Sequence, residues 1–300
     1  MLVYNAIGKN KRASIFLIFV FLLIIIALGF LFARIYEDPS ILVFAVGFSI
    51  FSALISYYYS DKITLAISRA KEVDRQTAPD LYRLVENLAI TAGLPTPKIY
   101  LIDDSAPNAF ATGRDPKHAV ICFTTGILGK LEKAELEGVA AHELSHIGNY
   151  DIRLMTLVVV LVGIVTLLAD FMLRWGFGRR RRDNEGGGAG IIALIGIVFA
   201  LLSPLFATLI KLAVSRRREY LADASGALLT RYPEGLARAL EKIAADHEPL
   251  EAANKATAHL YIVNPLKEHE GRDKVGWFAN LFNTHPPIEE RIRILRGMNK

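Results

Sequence analysis

Four long apolar stretches divide the chain into alternating hydrophobic and polar segments. They cover residues 15–32, 41–59, 154–173 and 191–214. Each is close to the roughly 20 residues that an α-helix needs to cross a bilayer. A short connector, residues 33–40, joins the first two stretches, so we predict a helical hairpin. The last two stretches predict a second hairpin, although Pro204 and Lys211 interrupt its second half.

Basic residues flank the first hairpin at both outer ends. They are Lys9, Lys11 and Arg12 before it, and Lys62, Arg69 and Lys71 after it. Because cytoplasmic loops carry an excess of Lys and Arg, we predict that both ends face the cytoplasm. The second hairpin does not follow this rule. If it spanned the membrane from the cytoplasm, the four arginines at 179–182 in its connecting loop would lie outside the cell. We favour a spanning second hairpin, with a hairpin lying at the membrane interface as the alternative.

The polar segments have the patterns of a soluble domain that the second hairpin divides in two. The predicted regions are 1–61 (transmembrane hairpin), 62–153 (first soluble part), 154–214 (second hairpin) and 215–300 (second soluble part). Apolar periodicity predicts helices at 80–92, 131–149, 233–245 and 288–296. Short apolar runs predict strands at 98–102, 108–113, 119–123 and 260–263. The predicted fold class is therefore mainly α with a small β-sheet and four hydrophobic helices in two hairpins.

Composition supports a membrane protein of a reducing compartment. Hydrophobic residues make up 52% of the chain, and the mean hydropathy is +0.32. The net charge of +5 is modest and lies mostly beside the apolar stretches, which favours a lipid bilayer over nucleic acid as partner. The single cysteine, Cys122, excludes an internal disulfide, and we predict it to be a core residue of a strand.

The sequence His142-Glu143-Leu144-Ser145-His146 carries the strongest chemical signal. Positions i and i+4 of a helix lie on one face, so both imidazoles can reach one metal ion. The carboxylate of Glu143 is then placed to accept a proton from the attacking water. Two histidines and a glutamate among apolar neighbours are costly to bury unless an ion compensates them. The alternative is a chance match in a solvated helix.

A third metal ligand is predicted directly after the second hairpin. Catalytic zinc typically keeps three protein ligands and one open position, and Glu219 would supply the third. Asp223 follows one helical turn later, where its carboxylate can orient a ligating histidine. The alternative is that Glu219 only pairs with Arg216–Arg218 at a helix surface. The second hairpin favours a ligand role for Glu219. The chain enters this hairpin just after His146 and leaves it just before Glu219, so both residues lie at the same membrane face.

Four segments together resemble the HtpX family of membrane metallopeptidases, which are similar to the eukaryotic CAAX prenyl proteases. They are Val139-Ala140-Ala141-His142-Glu143-Leu144-Ser145-His146, Glu219-Tyr220-Leu221-Ala222-Asp223, Asn108-Ala109-Phe110-Ala111-Thr112-Gly113 and Thr284-His285-Pro286-Pro287. The resemblance implies a gluzincin-like catalytic domain with one Zn²⁺ on His142, His146 and Glu219, and Glu143 as general base. It also implies endoproteolysis of membrane or misfolded polypeptides at the cytoplasmic face of the cell membrane, as in stress response and protein quality control.

Two further sites follow from these motifs. Asn108, Ala109 and Phe110 are predicted to bind substrate, because an exposed strand edge offers backbone hydrogen bonds to any sequence; the alternative is an ordinary turn. His285 is predicted either to stabilise the transition state or to occupy the open zinc position, with a structural role at a helix start as the alternative. We expect Arg291 to contact Asp223.

Two rival functions come from other classes. A catalytically inactive membrane scaffold would bind client proteins without cutting them, but the chain keeps Glu143. A metal transporter would carry histidines within its membrane helices. The four apolar stretches contain none. The sequence therefore predicts a zinc endopeptidase. It contains no signal for the oligomeric state.

Overall fold

The computed structural model describes residues 3–35, 37–161, 163–164, 216–246, 248–251, 257, 260–263 and 286–298. Predictions for the remaining residues lie outside the described residues. They include His285 and most of the second hairpin.

The first two apolar stretches form a helical hairpin of α1 (Val3–Ile35) and α2 (Ser40–Ile67). A Cβ added to Gly29 would come within 2.2 Å of the Ala45 Cβ, so the glycine is what allows the two helices to approach closely. Their outer faces expose large apolar side chains, such as Phe44 at 72%. Both helices are long and apolar enough to cross a membrane.

A four-stranded mixed sheet follows the hairpin. Its strands are β1 (Lys71–Val73), β2 (Lys98–Ile102), β3 (Ala109–Gly113) and β4 (Ala119–Thr124), in the order β1-β2-β4-β3. Strand β4 pairs parallel with β2 and antiparallel with β3, with Ala109 opposite Phe123. Helix α3 (Pro79–Thr91) connects the first two strands, and α4 (Thr125–Lys130) follows β4. Strand β3 therefore lies at one edge of the sheet.

Helix α5 (Lys133–Gly148) is the centre of the main core and carries the HExxH sequence. It starts at a capping box, in which the Glu135 carboxylate accepts the Glu132 backbone N–H. It packs against α7 (Arg216–Thr230), α8 (Pro233–Ala245) and β3. A Cβ on Gly226 of α7 would lie 3.0 Å from the His142 backbone nitrogen. The small residue thus lets α7 approach α5 where the metal motif lies.

A further helix, α6, covers residues 151–161 and starts just after α5. Its Leu154, Leu157, Val158 and Leu161 pack against Leu17, Phe21 and Ile25 of α1 in one apolar cluster. The first hairpin therefore packs directly against α6, the segment that follows the HExxH helix. The last described helix, α9 (Ile288–Gly297), packs on α7 and α8.

Most elements predicted from sequence are confirmed, including the mainly helical fold with a small sheet and the helices at 80–92 and 233–245. The predicted strand at 260–263 is wrong. These residues form bends, although the Ile262 N–H donates to the Ala109 carbonyl at 3.0 Å. A single backbone bond to the sheet edge does not make a ladder. Strand β1 and helix α4 were not predicted, because both are too short to show a period.

Candidate metal centre

Helix α5 brings the two histidines of the HExxH sequence together, with their rings edge to face and their centroids 4.7 Å apart. The Nε2 atoms of His142 and His146 lie 3.2 Å apart, and both side chains are buried. Residues i and i+4 of a helix share one face, which is why this spacing puts the two rings side by side. Two nitrogens bound to one tetrahedral zinc at 2.0–2.1 Å would be roughly 3.4 Å apart. The observed separation is close to that value.

Glu219 of α7 completes a group of three possible ligands. Its carboxylate oxygens lie 3.5 Å from His146 Nε2 and 3.8 Å from His142 Nε2. One ligand atom from each of the three buried residues lies within 4.8 Å of the others. The two segments are far apart in sequence and meet because α7 packs directly on α5.

Carboxylates hold the far side of both rings. Asp223 Oδ1 lies 2.9 Å from His142 Nδ1, and Asp151 Oδ2 lies 3.0 Å from His146 Nδ1. The contact of Asp151 is a hydrogen bond, which keeps the proton of His146 on Nδ1 and leaves its Nε2 lone pair facing inward, while Asp223 lies beside His142 Nδ1 as a charged neighbour. Two lone pairs and the Glu219 carboxylate then converge in a buried space. Such a set of acceptors requires a cation, so these residues fit a metal ion and have the ligand types that zinc prefers.

Glu143 lies beside this group, on the side facing the sheet. Its side chain is buried, and its carboxylate accepts a hydrogen bond from the Ala111 backbone N–H of β3. Its Oε1 atom has no hydrogen-bond partner among the described residues. Burial raises the pKa of Glu143 to about 7. A carboxyl group with such a pKa can both accept and donate a proton near neutral pH.

Arg291 of α9 ties the second soluble part to the site. Its Nε and Nη2 donate to the two oxygens of Asp223 at 2.8 and 2.7 Å, and its Nη1 donates to the Ile262 carbonyl at 2.9 Å. Nη1 also lies 3.6 Å from Glu219 Oε2. Burial alone would raise the pKa of Asp223, but Arg291 outweighs it and lowers that pKa to about 2. Asp223 therefore stays ionised beside His142.

The predicted substrate-binding residues lie on the edge strand of the sheet, but Asn108, Ala109 and Phe110 are all buried, so the expected solvent-exposed strand edge is not observed at these residues. Phe110 is fully buried and packs against Tyr261. The Ala109 carbonyl accepts the Ile262 N–H, and Asn108 donates its amide to the Val263 carbonyl at 2.9 Å. Residues 260–263 thus cover the end of β3 near Asn108. Ala111 is the strand position beside Glu143.

The structure thus brings His142, Glu143, His146, Glu219, Asp223 and Arg291 into one buried group. It leaves His285 outside the described residues. Sequence reasoning missed Asp151, which reaches His146 because the chain turns at Tyr150 with φ 60°. The only feature of the sequence that could have indicated this role is the position of the Asp151 carboxylate, shortly after the HExxH sequence.

Comparison with known proteins gives consistent results. The model of peptidase family M48 matches residues 75–299. The protease HtpX homolog of Dictyoglomus thermophilum is 46% identical over 301 residues, covering 99% of this chain and 95% of the relative. That of Tropheryma whipplei strain TW08/27 is 45% identical over 300 residues, covering 99% of each chain.

A solved structure shares the fold. The crystal structure of S. mikatae Ste24p matches with a TM-score of 0.51 and 18% sequence identity, covering 97% of this chain and 67% of that one. Together with the geometry of the site, the family match and the full-length relatives show that this chain belongs to peptidase family M48, among the HtpX proteases.

Proposed function

We propose that the chain is a zinc-dependent endopeptidase held in the cell membrane by its apolar helices, with its active site at the cytoplasmic surface. The observation that carries the proposal is the convergence of His142, His146 and Glu219, with Glu143 beside them. These three side chains would hold the ion. The basic residues at both ends of the first hairpin support the cytoplasmic orientation.

The proposed reaction is hydrolysis of a peptide bond by water. His142, His146 and Glu219 would hold the zinc ion, which would supply a Lewis acid for the scissile carbonyl and the water. Glu143 accepts a proton from the attacking water and then donates one to the leaving amine. The Ala111 N–H and burial keep the Glu143 side chain in place for both transfers. Asp223 and Asp151 keep the two imidazoles in the orientation that ligation requires.

The substrates we propose are membrane or misfolded polypeptides. An edge strand such as β3 recognises an extended chain through its backbone, which suits substrates without a common sequence. The Ala111 N–H of β3 donates to the Glu143 carboxylate, so we expect the scissile bond to lie near Ala111. Contacts to Asn108, Ala109 and Phe110 remain predictions, as does a role for His285.

The proposal is tested by digestion of an unfolded model protein with the full chain in detergent. We expect cleavage by the wild type to stop when a chelator removes metal and to return with zinc. Glu143→Gln should keep its zinc and lose activity by about 100-fold or more, since it cannot transfer the proton. Glu137→Gln, earlier in the same helix and partly exposed, is the matched control and should cleave normally.

Two results would contradict the proposal. Equal cleavage by wild type and Glu143→Gln would mean that another protease is responsible. Zinc binding without cleavage by the wild type, on every unfolded substrate tried, would favour the inactive scaffold.

A further inference from the structure

Asn10 is a buried polar residue near the start of α1, the first apolar helix. Its side chain is 2% exposed, although α1 turns large apolar side chains such as Ile15 and Phe16 outward. A buried amide is costly unless its donors and acceptor are paired. The contacts that pair it lie in the part of the fold that carries the metal centre.

The Asn10 amide contacts both segments that supply the candidate ligands. Its Nδ2 donates to the Asn149 carbonyl at 3.0 Å and to Asp151 Oδ1, just after the HExxH helix. Its Oδ1 accepts a hydrogen bond from Arg218 Nε at 3.1 Å. Arg218 immediately precedes Glu219 in α7. One side chain of α1 thus connects the two parts of the chain that meet at the metal centre.

The two carboxylate oxygens of Asp151 have different partners, Asn10 on one side and His146 on the other. Oδ1 receives the Asn10 amide and lies 3.2 Å from Arg218 Nε, while Oδ2 lies 3.0 Å from His146 Nδ1. The orientation of Oδ2 therefore depends on the groups that hold Oδ1. Carboxylates in this position fix the tautomer and the ring orientation of a ligating histidine.

We propose that Asn10 is a positioning residue for the metal centre, acting through Asp151 on His146, so that the first apolar helix is part of the active site. This inference rests on the proposed metal centre. It goes further, because it assigns to α1 a role beyond anchoring the chain. An anchor would hold the catalytic domain near the bilayer without contacting the residues that orient a ligand.

The test is the zinc affinity of the purified full chain in detergent, measured by competition with a chelator. Asn10→Leu has a similar volume but removes the three hydrogen bonds, and it should weaken zinc binding by about tenfold, the lower end of the effect of losing such a partner. Ser14→Ala is the matched control. Ser14 is equally buried one turn later in α1, but among the described residues its hydroxyl donates only to the Asn10 carbonyl. Its zinc affinity should be unchanged.

Asn10→Ser, which stays polar but is too short to reach Asp151, provides a second variant should Asn10→Leu not fold. It should show the same loss. Zinc affinity equal to the wild type in the Asn10 variants would overturn the inference, as would an equal loss in Ser14→Ala, because general loosening of α1 would then suffice. A wild type that binds no zinc would instead defeat the proposed metal centre itself.

Discussion

At the scale of single residues, the site depends on buried charges that neutralise one another. Arg291 is 1% exposed and is paired with Asp223 through two hydrogen bonds. Asp223 in turn lies against His142. Removing one partner of such a pair leaves an uncompensated charge in the interior, which costs more than the pair itself contributes.

We therefore predict that Arg291→Met lowers the free energy of unfolding by about 3–5 kcal/mol, because Asp223 and the Ile262 carbonyl lose their donor. Arg293→Met is the control, since Arg293 lies on the same helix with its side chain exposed. Thermal unfolding of both variants in detergent measures the difference. Equal stability of the two would show that the Asp223 carboxylate does not need Arg291.

Residues placed by helical periodicity were predictable, and residues placed by a turn were not. His142, His146 and the pair Glu219 and Asp223 follow from the i, i+4 spacing of a helix. Asp151 reaches His146 only because the chain reverses at Tyr150 in the left-handed region of φ. No period predicts such a turn, and tertiary contacts decide it.

At the scale of elements, glycines set how closely the helices around α5 approach. A Cβ on Gly138 would come within 2.7 Å of the Leu236 backbone nitrogen and 2.8 Å of its Cα. Backbone cannot move aside as a flexible side chain can. Helix α8 would therefore have to shift away from α5, along with the core residues between them.

We predict that Gly138→Ala destabilises the chain by about 1–3 kcal/mol, the usual cost of overpacking. Gly148→Ala, at the end of the same helix, is the control, because its Cβ would meet Leu94 at an ordinary 3.5 Å. Thermal unfolding in detergent compares the two. A Gly138→Ala variant as stable as Gly148→Ala would mean that the helices are not in contact at Gly138.

The sheet shows where pattern alone gives the strands and where it fails. Strand β4 was predictable because its apolar run is buried on both faces, and β2 because Ile99 to Ile102 form a short apolar run that is only partly exposed. Residues 260–263 have a similar apolar composition, and all four are buried. Their backbone bonds go instead to Ala109, Asn108 and Arg291. The apolar run was interpreted as a strand, but the backbone of these residues does not pair in a ladder.

At the scale of the whole molecule, the described residues connect two apolar helices to the buried candidate metal centre. Helix α6 leaves the HExxH helix and packs along α1, and the Asn10 amide lies at the same junction. The sequence predicted the hairpin and the motif separately. It could not predict that they touch, because their contact depends on how the helices pack.

We predict that α1 and α2 cross the membrane with both outer ends in the cytoplasm. The only native thiol, Cys122, is fully buried, and burial raises its pKa well above the usual value, so it should not react. An impermeant maleimide should label Ser40→Cys, at the exposed first residue of α2, from outside sealed right-side-out vesicles. Thr91→Cys, exposed on the soluble part, should react only after permeabilisation. Protection of both thiols would mean that the hairpin does not cross.

The most direct test of the account is the zinc content of the purified full chain after exhaustive dialysis, for the wild type and for Glu219→Ala. We expect a single tightly bound zinc ion in the wild type, held by His142, His146 and Glu219. We expect a large loss of zinc in Glu219→Ala, while the exposed-site control Arg293→Met keeps its metal. Full zinc content in Glu219→Ala, or no zinc in the wild type, would contradict the account.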